Sequence, residues 1–75
     1  MDLVRLLGIN VREARQGKHL TQEALALEAE MKRSYISELE AGKRNPSVRA
    51  LGRIAKALGV EAADLLRPDP RSSAE

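Results

Sequence analysis

Residues 21–42, TQEALALEAEMKRSYISELEAG, place Leu25, Ala26, Ala29, Met31, Ile36 and Leu39 at intervals that suit a helix, a tight corner and a second helix sharing one buried seam. A single straight rod does not collect them on one face. Ala26 matters most, because a side chain of one methyl lets two helices cross closely enough for a short turn to join them. The second helix keeps a polar outer face and runs into a basic loop at Lys43 and Arg44.

Outward from this pair, the punctuation is helical throughout. Leu3, Leu7, Val11 and Ala14 form a stripe that predicts a first helix over about residues 3–16, stopping near Gly17. Thr21 suits an N-cap, since its hydroxyl can accept from a free amide of the next turn, and Glu23 suits the positive helix start. The second helix is expected over about 22–29, the corner at Glu30 and Met31, and the third helix over about 33–41, closed by a left-handed Gly42. Asn45 and Pro46 break the chain. Ser47 caps a fourth helix carrying Val48, Leu51, Ile54, Ala55 and Leu58 at helical spacing, and Gly59 ends it. A short fifth helix over about 62–66 adds Leu65 and Leu66 to the bundle. The final RPDPRSSAE, residues 67–75, has two prolines and no apolar anchor and is expected to be a disordered tail, leaving residues 1–66 as one domain.

Composition agrees with an all-α class. The 75 residues are 43% hydrophobic, almost wholly Leu, Ala, Val and Ile, with Tyr35 the single aromatic. A core this small leaves no room for a second, ligand-sensing unit, so no small-molecule ligand is expected. There is no cysteine to make a disulfide or a thiolate metal site. No apolar run approaches the roughly 18 residues of a membrane span, and acid and base occur too early for a signal peptide, so a cytoplasmic protein is expected.

The net charge of +2 conceals a polarity. Residues 41–60 carry Lys43, Arg44, Arg49, Arg53 and Lys56 with no acid, so that stretch is +5 and the remainder −3. One side of the molecule is therefore expected to be positive, either to attract a polyanion and release its counterions or simply as a solvated surface. A helix pair with an exposed polar face beside such a rim is what reading DNA requires. Enzyme chemistry is disfavoured: His19 stands alone in a loop, there is no glycine-rich phosphate loop, and no cofactor is expected. Glu23, Glu28 and Glu30 could be called an acidic cluster, yet the first two suit helix-surface charges better than a paired acid and base.

LTQEALALEA, MKRSYISELEAGKRNPS and IAKALGV, in that order, resemble the phage-repressor and Cro type of helix-turn-helix domain, the XRE-like family, across nearly the whole chain from about residue 6 to 66. The resemblance implies a five-helix, lambda-repressor-like fold with the third helix in the major groove and the second crossing the backbone. It implies base contacts from Arg33, Ser34, Ser37 and Glu38. Arg33 is foremost among them, because its planar fork can bond both acceptors of a guanine. Glu38 either accepts from cytosine N4 or lies in solvent. Backbone contacts fall to Gln22, Lys32, Tyr35, Lys43, Arg44 and Asn45, with Tyr35 shared between packing and contact. Arg15 and Glu40 match positions that form a partly buried ion pair, and Val60, Ala62, Ala63, Leu65 and Leu66 match a dimer surface.

Three departures from the family pattern stand out. Glu30 occupies the left-handed corner where glycine is usual, and Lys32 and Glu61 stand where Ser, Thr or Asp usually cap the third and fifth helices. The resulting expectation is a homodimeric regulator of transcription that binds double-stranded DNA at a pseudo-palindrome, similar in size and plan to Cro-type switches and to restriction-modification controller proteins. An interaction module of the same fold, an antitoxin or adaptor, is the rival reading.

Overall fold

Four α-helices and one 3-10 turn, and no strand, make up the described residues of the computed structural model, 2–68. Helix α1 spans Leu3–Gly17, α2 Gln22–Ala29, α3 Arg33–Glu40 and α4 Val48–Leu58, followed by a 3-10 helix at Ala62–Leu66. The fifth helix expected from the sequence is thus a single tight turn, tied to its own start by Asp64 Oδ2, which accepts from the Glu61 amide at 3.0 Å. The expected tail begins at Arg67, and all but its first two residues lie outside the described residues.

Three of the four α-helix starts have a side-chain cap. Asp2 Oδ1 accepts from Val4 N at 3.1 Å, Thr21 Oγ1 from Ala24 N at 3.0 Å and Ser47 Oγ from Ala50 N at 3.0 Å. Lys32, by contrast, gives α3 no side-chain cap. Gly42 and Gly59 take φ of 75° and 70° as they leave α3 and α4. Glu30 also enters the left-handed region, at φ 58° and ψ 48°, so the corner between α2 and α3 is made without glycine.

The core gathers the seam and the inner stripes of the other helices. Val11, Leu25, Ile36, Leu39 and Ile54 are fully buried, and Leu7, Ala26, Ala29, Ala55, Leu58 and Leu65 nearly so. Met31 and Ala14 pack on its edge. Two residues expected on core stripes lie outside: Leu3 is 55% exposed and Val48 87%. Each is the first residue of its helix, where the side chain leans back past the helix start and overhangs the end of the bundle. Leu66, also expected inside, is 38% exposed, and Leu27 on α2 is 80% exposed.

A tight crossing the sequence did not point to runs through Gly8, where α1 meets α3. A methyl added at Gly8 would run into the Leu39 carbonyl oxygen and approach that of Glu40 to 3.0 Å, so α1 and α3 touch backbone to side-chain-free backbone. Asn10 fastens the other end of the bundle by donating from Nδ2 to the carbonyls of Leu65 at 2.8 Å and Arg67 at 2.7 Å.

Candidate nucleic-acid interface

Helix α3 turns Ile36 and Leu39 inward, both at 0% exposure, which by helical geometry sends Arg33, Ser34, Ser37 and Glu38 outward, and all four are exposed. The short turn to α2 sets the angle of this ridge. Arg53 reinforces that turn from α4: its guanidinium donates to the Ala29 carbonyl from Nε at 3.1 Å and Nη2 at 2.8 Å, and to the Glu30 carbonyl. These carbonyls end α2 and lack partners within it, so a cation there also meets the negative end of the helix. This role is not visible in the sequence, where Arg53 is one more positive charge.

The residues expected to flank the ridge divide into two groups. Lys32, Lys43, Arg44 and Asn45 are exposed around it, and Tyr35 is half-buried against the core. Arg44 is held on two sides: Nη2 donates to Glu38 Oε1 at 2.8 Å, and its guanidinium lies 4.7 Å from the centre of the Tyr35 ring. Gln22, expected on the DNA backbone, points its amide inward instead and donates from Nε2 to Glu40 Oε1 at 3.1 Å.

Arg15 and Glu40 form the ion pair that the family pattern implies. Arg15 reaches Glu40 through Nε at 2.7 Å and Nη2 at 3.0 Å, and its Nη1 donates to the Leu20 carbonyl at 2.7 Å. The side chains are 12% and 4% exposed. The hydrogen bond that Arg15 donates to Glu40, helped in smaller measure by the carboxylate charge, outweighs the opposing effect of burial and raises the Arg15 pKa above its ordinary value.

The positive stretch 41–60 does not form the single face that its sequence suggests. Lys43 and Arg44 border α3, whereas Arg53 and Lys56 line a hollow shared with Glu28 and Glu30. Helical periodicity separates them: the cations of α4 follow a different face from the loop before it. The expected dimer surface is also revised. Leu65, at 2% exposure, belongs to the monomer core and backs the surface, leaving Ala63 and Leu66 exposed and Val60 and Ala62 partly so.

An exposed polar helix on a buried seam, joined to a helix that crosses beside it, is the arrangement of a helix-turn-helix protein. The family model described as helix-turn-helix matches residues 11–65, and the chain belongs to that family, whose members are DNA-binding transcription regulators rather than enzymes. It is 41% identical over 68 residues to the uncharacterized HTH-type transcriptional regulator y4dJ of Sinorhizobium fredii, covering 91% of this chain and 88% of that one. It is 48% identical over 65 residues to the control protein C.BamHI of Bacillus amyloliquefaciens, covering 84% and 80%. Among solved structures, the restriction-modification controller protein C.AhdI from Aeromonas hydrophila superposes with a TM-score of 0.81 at 37% identity, covering 83% of this chain and 94% of that one. No helix among the described residues is long and apolar enough to cross a membrane.

Proposed function

We propose that this chain is a sequence-specific transcription regulator that binds a pseudo-palindromic operator as a homodimer, with α3 in the major groove of each half-site. The observation that carries this reading is the open polar ridge of Arg33, Ser34, Ser37 and Glu38, rigidly seated by Ile36 and Leu39 and bordered by Lys32, Lys43, Arg44 and Asn45. The ridge reads base edges, Arg33 as a fork to guanine, while the border and Tyr35 meet phosphates. Gln22 acts chiefly through Glu40 and touches the backbone only from the edge. The likeness to C.BamHI and C.AhdI supports a control protein of the restriction-modification kind, and residues 1–66 make up its DNA-binding domain.

A domain of this size reads few base pairs, so two copies supply the needed discrimination. Val60, Ala62, Ala63 and Leu66 supply the surface between them. Leu66 continues into an apolar groove that Leu3, Pro46 and Val48 also line, and Leu3 and Val48 project from it into solvent. Sequence selection from a random duplex pool tests the reading: the expected product is an inverted repeat with half-site centres about 34 Å apart. Sedimentation of Leu66→Glu should show a monomer that no longer holds the full repeat. An absence of duplex binding even at low salt would instead favour the interaction module.

A further inference from the structure

We propose that Glu38 acts as an internal substitute for a phosphate: it occupies Arg44 in the free protein and thereby weakens binding to unmatched DNA, so that the pair sets specificity. The inference rests on reading α3 as the groove-facing helix. Tyr35 and Glu38 are three residues apart and share one side of α3. The chain returns to that side because Gly42 takes a φ of 75° and the Lys43 amide donates to the Glu38 carbonyl oxygen at 2.9 Å. Arg44 therefore arrives with its guanidinium over the Tyr35 ring, 4.7 Å from its centre, and 2.8 Å from the Glu38 carboxylate.

Carboxylate and phosphate oxygens compete for the same planar fork. The two side chains are 45% and 48% exposed, so the exchange takes place in water and needs no buried charge to be uncovered. When Arg44 turns to a phosphate, Glu38 is left as a bare negative charge facing a polyanion. A base N–H aimed at the carboxylate, as from cytosine N4, relieves that repulsion. Unmatched sequence does not present one in register. Each encounter with random DNA must therefore either leave Arg44 on Glu38 or strand the carboxylate, whereas a matched half-site satisfies both side chains.

The test is a two-by-two set, Glu38→Gln, Arg44→Gln and the double variant, titrated with a random duplex across a salt series. Glu38→Gln is expected to raise random-duplex affinity by about 1.5- to fivefold, the range of an exposed ion pair. It should also steepen the salt slope by about 0.9, the value for one added phosphate contact. On a selected operator the variant should gain nothing, so discrimination falls by at least the same factor. In the Arg44→Gln background only the relief of the bare carboxylate remains, so the Glu38 change should give a clearly smaller gain. An equal gain in both backgrounds would show simple repulsion by Glu38 and overturn the inference alone. Failure of the unaltered chain to bind any duplex would overturn the proposed function along with it.

Discussion

Arg15 in α1 and Glu40 at the last turn of α3 share two hydrogen bonds, of 2.7 and 3.0 Å, with Gln22 of α2 closing on the same carboxylate. Three helices thus meet at one nearly buried charge, which ties the end of α3 to α1 and α2. Glu40→Ala strands the Arg15 guanidinium and leaves the Gln22 amide without its acceptor. The expected loss is about 3 kcal/mol of unfolding free energy, measured by urea denaturation. A loss below about 0.5 kcal/mol would place the pair among ordinary surface charges.

The same pair has a defined pH behaviour. Because folding raises the Arg15 pKa, its contribution is complete below the unfolded arginine range and falls only as pH rises through the still higher folded value. Titration of Arg15 therefore contributes no change in melting temperature between about pH 6 and 9. A difference between wild type and Arg15→Met that shrinks as pH rises through that window would contradict this.

Gly8→Ala should destabilise the chain although alanine is the better helix former by about 1 kcal/mol. The added methyl meets the carbonyls of Leu39 and Glu40, both fixed in α3, so α1 must move away from the seam. Overpacking of this kind typically costs about 1–3 kcal/mol. A urea midpoint equal to or above wild type would show that the crossing is looser than the geometry indicates.

The corner between α2 and α3 can be improved at two positions. Glu30→Gly removes a side chain from a left-handed residue and should add about 1 kcal/mol. Lys32→Ser supplies the missing cap of α3 and should add a similar amount, about 1 kcal/mol. Their effects on DNA should diverge: Lys32→Ser weakens every sequence alike, while Glu30→Gly leaves affinity unchanged or slightly improved.

On the proposed reading, Arg33 and Lys43 separate base contact from backbone anchoring. Arg33→Ala should relax selection at one base position at a cost of about 1–3 kcal/mol on the operator, with little change on scrambled duplex. Lys43→Ala should weaken both equally and reduce the salt slope by about 0.9. Equal losses on both duplexes for Arg33→Ala would move Arg33 to the backbone set.

The number of helical segments, the caps at Thr21 and Ser47 and the buried seam were legible because each depends on neighbours within a few residues: both caps bond at 3.0 Å to residues three along the chain. So was the outer face of α3, since burying Ile36 and Leu39 leaves Arg33, Ser34, Ser37 and Glu38 no other side. The Arg15–Glu40 pair was legible only through family resemblance, its partners lying 25 residues apart.

Tertiary structure alone decided how the charges and small residues are used. Arg53 caps α2 from α4, Asn10 ties down the 3-10 turn, Gly8 admits the α3 backbone, and Glu38 holds Arg44. Leu3 and Val48 fit their helical stripes yet lie outside the core, on the rim of the apolar groove beside Leu66. Periodicity states which way a side chain faces from its own helix. What it meets there depends on where the other helices cross, and that is determined by the packing of the whole chain.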